Sequence, residues 1–396
     1  MGKREGRGSR MSFLEYAVKY IASDRRHSPG NRRGVEQHSH TNIYPDFLFS
    51  FLSKALRRLC PSPIWLEKGR IVEMFDSPEK NFPFGTFLDE EFQVIVDVYP
   101  QRGDIHIRVD SPDPALSENF LKRLEEEFKE VFVGGYFQIS YGVSRVEKVD
   151  SFPELGSLSL DGKKLERIHR DIIGHFDLVP HLKKRGYSTS LSVLFHGRPG
   201  TGKTYTIKAI VKEFVRRGIP VFNMTGMDPS EFIAAIGFFD FLPRAVFIYE
   251  DIDTVGVRGR YSYHDYIQSS YLSLLDGLNE GDNRILIFTT NFYEELDEAF
   301  KRPGRIDLTL RFEAEPEEVI ASVEPIMKSA PEDFRKSIRR LILEKRLTYA
   351  EAHSILQAAL KREIYEEKLP DYEELRRHFQ EETRTSERTK RLGFGG

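Results

Sequence analysis

The spacing of apolar residues changes along the chain, and each change marks a different kind of structure. In "FLFSFLSKALRRL" (47–59) apolar positions recur at helical intervals, whereas "EFQVIVDVY" (91–99) and "DIHIRVD" (104–110) alternate with period two. The first predicts an amphipathic helix and the other two predict paired strands. "ALSENFLKRLEEEFKEVFV" (115–133) returns to the helical period, and "YFQISYGVSRVEKV" (136–149) reads as a further strand. Residues 46–153 are therefore expected to form an α+β N-terminal domain. Its boundary is expected near Pro153, where "SFPELGSLSLDG" breaks the pattern.

Beyond that point short apolar runs alternate with helical patterns. Helices are predicted at 163–177, 203–217, 229–238 and 264–277. Strands are predicted at "LSVLFHG" (191–197), "PVFNM" (220–224), "AVFIYED" (245–251), "RILIFTT" (284–290) and "DLTLRF" (307–312). Apolar strands separated by helices imply a parallel sheet covered on both faces, an α/β fold, over 154–312. From 313 to 380 only helical periodicity remains. There "TYAE" (348–351) has the Thr-x-x-Glu spacing of a capping box opening a long helix, so a small helical subdomain is expected. The last residues, 381–396, have no apolar period and are expected to be disordered.

Residues 1–45 are read as a flexible basic arm. Nine Lys and Arg face three acids within 1–34, enough to make phosphate contacts and so to leave nucleic acid open as a partner. The whole chain, 396 residues with a formal net charge of −3, gives no global pull toward nucleic acid or anionic lipid. Its single cysteine, Cys60, excludes an internal disulfide, and no apolar run reaches the roughly 18 residues of a spanning helix. A cytoplasmic protein without a membrane anchor is expected.

The most specific chemistry lies at "GRPGTGKT": Gly197, Arg198, Pro199, Gly200, Thr201, Gly202, Lys203 and Thr204 satisfy G-x-x-x-x-G-K-[ST] between a predicted strand and a predicted helix. Glycines let the backbone wrap phosphate oxygens, and the helix N-terminus adds positive potential. Lys203 would neutralise β and γ phosphates, and Thr204 would offer its hydroxyl to Mg²⁺. The strand "AVFIYED" then ends in two acids. Strand phase puts Glu250 beside the metal and Asp251 beside the attacking water, with ATP and Mg²⁺ as the expected ligands. Other candidates are weaker. His38 and His40 form an H-x-H without a third ligand nearby, and His196 reads as a strand-end residue rather than a base. "RGRYSYHDY" (258–266) could line a channel or simply connect elements.

Read together, "YEDID", "SLLDGLN", "LIFTTN" and "LDEAFKRPGRID" resemble the AAA family of ATPases, with a P-loop NTPase AAA+ core, a C-terminal helical lid and a separate N-terminal domain. The likeness is greatest to the subgroup that includes the mitochondrial translocase of the Rieske protein, whose acidic pair also runs Glu-Asp. The resemblance implies that Asn291 is a sensor residue and that Arg302 and Arg305 are arginine fingers reaching a neighbouring subunit. It also implies a homo-oligomeric ring, a hexamer or heptamer, that remodels or translocates a protein substrate. A nucleic-acid motor and an ATP-gated assembly switch remain the alternatives. Three departures stand out. The aromatic-hydrophobic-Gly gripping loop is missing, with "FIA" (Phe232 to Ala234) the nearest substitute. There is no transmembrane helix, and "LTYAEAH" lacks the Gly-Ala step at the start of the lid helix.

Eight Asn and seven Gln are few for this length, while Lys, Arg and Glu abound, a bias of heat-adapted proteins. A thermal midpoint above about 65 °C is expected, measurable by circular dichroism; a lower one removes that reading.

Overall fold

Alternation at period two in the first third of the chain builds an antiparallel sheet. A computed structural model describes residues 38–45, 49–67, 70–72, 85–102, 104–140, 143–252, 283–296, 302 and 304–380. They form two compact units. One reaches to Val133 and also includes Tyr141–Ser144; the other takes Gly134–Ser140 and everything from Arg145.

In the first unit β1 (His38–Pro45), β2 (Ile64–Glu67), β3 (Arg70–Val72), β4 (Gly85–Asp89), β5 (Val94–Gln101) and β6 (Asp104–Ser111) lie in the order β1-β6-β5-β4-β2-β3. The predicted pair at 91–110 is β5 and β6, in antiparallel register with Val98 opposite Ile107. Among the described residues two helices join this sheet in the unit, α1 (Phe49–Leu59) and α2 (Pro114–Phe132), whose Phe51 and Phe132 rings meet at 5.2 Å. Asp113 caps α2 by accepting from the Ala115 amide, and Pro114 occupies a first-turn position that needs no N–H partner. The sequence expectation of a flexible arm through residue 45 is corrected here. His38–Pro45 is a full edge strand on β6, where polar residues and a terminal proline are tolerated because one side of an edge strand need not be paired. His40 Nδ1 lies 2.9 Å from Ser117 Oγ on α2. Residues 1–37 lie outside the described residues, as do the 258–266 loop, the predicted helix 264–277 and the 381–396 tail.

The sheet of the second unit is built from β7 (Tyr136–Ser140), β8 (Val143–Glu147), β9 (Leu191–His196), β10 (Val221–Asn223), β11 (Ala245–Tyr249), β12 (Arg284–Thr290) and β13 (Leu308–Arg311). They lie in the order β13-β9-β12-β11-β10-β7-β8. From β13 to β7 every pairing is parallel, as the apolar runs predicted. β11 and β12 are buried along their whole length, consistent with a sheet covered on both faces.

The boundary expected near Pro153 is overturned. β7 pairs with β10, with Tyr136 opposite Val221, and the Phe137 ring stacks on Phe222 at 5.2 Å. The Asn223 amide donates to the Tyr136 hydroxyl at 3.1 Å. Alternation marks a strand but not the sheet it joins, so the sequence pattern placed β7 in the wrong unit.

The helix predicted at 163–177 is divided into α3 (Gly162–Arg167), a π-turn (Ile168–Ile173) and α4 (His175–Lys184). Gly174 ends the π-turn, where a Cβ would lie 2.8 Å from the Arg170 carbonyl oxygen. α5 (Lys203–Arg216) follows the glycine loop, and α6 (Pro229–Phe238) precedes β11. Phe232 on α6 is fully buried against Tyr249 and Phe288, so the aromatic of "FIA" belongs to the core and offers no gripping surface. The helical subdomain holds α7 (Pro316–Val323), α8 (Glu332–Lys345), α9 (Tyr349–Glu366) and a last helix at 372–380, closed around Val319, Ile338, Leu341 and Leu356. Both halves of the predicted capping box at Thr348 and Glu351 are present. Among the described residues no helix is long and apolar enough to cross a membrane.

Phe222 is fully buried and its ring contacts those of Phe137, Phe239 and Phe247. Phe222→Ala is expected to cost about 3–5 kcal/mol, read as a lower urea midpoint at unchanged slope.

Candidate functional site

Parallel strands deliver their C-terminal ends to one edge of the sheet, and here that edge gathers β9, β11 and β12. β9 runs into the loop 197–202, which closes onto α5. The loop is feasible only with glycine at its tight points. A Cβ on Gly197 would fall 2.0 Å from the Phe312 carbonyl oxygen. One on Gly200, where φ is +79°, would fall 2.9 Å from Thr348 Oγ1.

Lys203 begins α5 and is only 7% exposed, so its ammonium requires acceptors. It donates to the carbonyl oxygens of Gly197 at 2.7 Å and Arg198 at 3.2 Å, and to Asn291 Oδ1 at 2.8 Å. Asn291 in turn donates from Nδ2 to Asp251 Oδ1 at 3.0 Å. An unbroken hydrogen-bond line thus joins the glycine loop, the end of β12 and the acid after β11.

The two acids face different partners. Glu250 accepts a short hydrogen bond from the Thr204 hydroxyl, while Asp251 meets Asn291. The divergence has a backbone cause. Asp251 adopts a left-handed conformation at φ +52°, and its amide donates to Thr289 Oγ1 at 2.7 Å while the Glu250 amide donates to Thr225 Oγ1 at 2.9 Å. Burial raises the Glu250 pKa above the ordinary carboxylate range, opposed by the Thr204 hydrogen bond and reinforced by the neighbouring Asp251 charge.

Beside this cluster lies a cavity of about 720 Å³. One end is bordered by Gly200, Gly202, Lys203, Thr204, Asp251 and Asn291. The other is walled by the 157–160 segment, Tyr205, Ser322, Tyr349 and His353. The second group is not evident from sequence. Only the capping box at Thr348 hints at it, because it fixes where α9 starts and so which residues meet the loop. The lid does reach the glycine loop despite lacking a Gly-Ala step: the Ala350 amide donates to the Gly200 carbonyl at 3.3 Å.

Other sequence candidates fall elsewhere. His196 stacks on Tyr293 with ring centroids 4.1 Å apart, and burial lowers its pKa; it does not line the cavity. Arg302 is exposed and Arg305 half-buried in a turn closed by the Arg305 amide on the Arg302 carbonyl at 3.2 Å, and neither borders the cavity.

Residues 193–314 match the sequence model of the ATPase family associated with various cellular activities (AAA). Curated relatives include the ATP-dependent zinc metalloprotease FtsH 1 of Conexibacter woesei, 29% identical over 44% of this chain and 29% of its own length. The probable mitochondrial chaperone bcs1 of Schizosaccharomyces pombe is 33% identical over 42% of this chain and 38% of its own. A 26S proteasome regulatory subunit 4 homolog of Oryza sativa subsp. japonica is 29% identical over 43% and 40%. In each case the match spans less than half of the relative.

Because the Glu250 pKa is raised on folding, the folded chain holds that proton more tightly than the unfolded chain, and stability falls as pH rises through the folded value. Glu250→Gln is therefore expected to raise the thermal midpoint of the ligand-free protein at pH 7.5 by about 2–4 °C. The gain is expected to vanish near pH 4, below the ordinary carboxylate pKa.

Proposed function

We propose, on the premise that residues 193–314 are an AAA domain of the ATPase family, that the cavity binds ATP with Mg²⁺ and that the chain hydrolyses it. The hydrogen-bond line from Lys203 through Asn291 to Asp251 carries this reading, with the Thr204–Glu250 pair beside it. The residues fit the ligands. Gly200 packs against Thr348 and Ala350 with no room for a side chain, Gly202 stays bare at the cavity edge, and the loop carbonyls hold a buried ammonium there. Thr204 and Glu250 would hold Mg²⁺, which supplies charge neutralisation at the phosphates.

Lys203 exchanges its carbonyl partners for phosphate oxygens. Asp251, oriented by Asn291, accepts the proton of the attacking water. Its left-handed backbone directs the shorter carboxylate to that task, which makes the Glu-Asp order a working arrangement. Arg302 is exposed on its turn and suits a role in trans, stabilising charge on the transferring group in a neighbouring copy, with Arg305 beside it. Such a shared site makes a homo-oligomeric ring, a hexamer or heptamer, the working form. Loss of the γ-phosphate would then loosen an interface and drive remodelling or translocation of a protein recognised by the first unit.

The test is Mg²⁺-dependent phosphate release by the full chain across protein concentrations. Turnover per chain is expected to rise with assembly, and both Lys203→Ala and Asp251→Asn are expected to lower it at least 100-fold, a typical loss for such groups. Turnover that survives in both variants would remove the assignment.

A further inference from the structure

We infer that Tyr349 is a positioning residue for the nucleotide, a pin that holds both walls of the cavity's far end against the glycine loop; this rests on the ATP reading above. Its hydroxyl lies 2.6 Å from the Ser159 carbonyl oxygen and 2.9 Å from Glu318 Oε2. Ser159 belongs to the 157–160 segment that forms one wall. Glu318 lies on α7, the helix that also carries Ser322 in the opposite wall. The ring of Tyr349 lies over the loop, since a Cβ on Gly202 would sit 3.7 Å from it. One side chain thus touches the segment before α3, the lid helix α7 and the phosphate end of the cavity.

The capping box aims it. Thr348 and Glu351 satisfy each other's backbone at the start of α9, which fixes the direction in which the first helical residue, Tyr349, leaves the backbone. The next residue reinforces the seat through the Ala350 amide on the Gly200 carbonyl. Burial and the Glu318 carboxylate both raise the phenol pKa, so the hydroxyl remains a donor at every working pH.

A phenol has one proton, and here two acceptors compete for it. Without the hydroxyl, the Ser159 carbonyl and the Glu318 carboxylate lose the partner they share, and the tie that this residue makes between the two walls is gone. A ligand entering the cavity must then supply the ordering that Tyr349 otherwise provides in advance. That contribution is the same in ground and transition states, so its loss falls on KM rather than on kcat.

The experiment is calorimetric titration of the purified full chain with ADP, beside steady-state ATP hydrolysis, for the unmodified protein, Tyr349→Phe and Glu318→Gln. Tyr349→Phe is expected to weaken ADP binding about fivefold to tenfold, the worth of about one hydrogen bond, and to raise KM for ATP by a similar factor. Glu318→Gln can donate to the phenol oxygen and leave the phenol proton to Ser159, so a smaller loss than in Tyr349→Phe is expected. Equal ADP affinity in the unmodified protein and Tyr349→Phe, both folded by circular dichroism, overturns the pin. A loss confined to kcat overturns it too. Failure of the unmodified protein to bind ADP or ATP removes the nucleotide reading itself, and the pin with it.

Discussion

Burial of one ammonium group organises the site. Lys203 is almost wholly excluded from solvent, and a charge in that position is strongly destabilising unless acceptors surround it. Acceptors among the described residues include two carbonyls of its own glycine loop and the side chain of Asn291. To present those carbonyls the loop has to fold tightly, which is why Gly197 abuts the Phe312 backbone with no room for a Cβ. To present Asn291, β12 has to end level with β9, and the parallel register with Thr290 opposite His196 achieves this. The requirement of a single cation therefore propagates into loop conformation, strand register and the position of Asp251 one bond further on.

A second constraint is the separation of the two acids. Adjacent residues on an extended strand point to opposite faces, but a strand end beside a cleft has only one useful side. The left-handed turn at Asp251 resolves this by rotating the second carboxylate toward Asn291 while Glu250 stays with Thr204. Threonine hydroxyls at positions 225 and 289 hold the two amides in this arrangement. Backbone strain of this kind persists where the surroundings over-determine it, and here they do so with four named hydrogen bonds.

Much of the glycine-loop end of the cavity was legible in the sequence as local structure: a glycine pattern, a strand before it, a helix after it, and acids ending a buried run. The opposite end was not. Tyr349, Ser322 and the 157–160 segment come together only through packing of the lid on the sheet, and no spacing within any one segment encodes that. Phe232 failed for the converse reason. An aromatic in an apolar triplet looks the same in sequence whether it faces a channel or the Tyr249 ring. β1 and β7 share a third cause of error: local alternation signalled one strand at 136–149, where the structure has two, β7 and β8, and was too polar to signal one at 38–45, and for β1 and β7 alike the partner strand is distant in sequence.

The position of β7 has a mechanical consequence. Only residues 133–135 separate α2 from β7, so the chain passes from a helix of the first unit to a strand built into the parallel sheet within three residues. Tension on that connection enters β7 along its length and loads the hydrogen bonds to β10 in shear, many at once, rather than peeling them singly. From β10 the next strand is β11, whose last residue precedes Glu250 and Asp251. A load on that connection would reach the acids through two strand pairings.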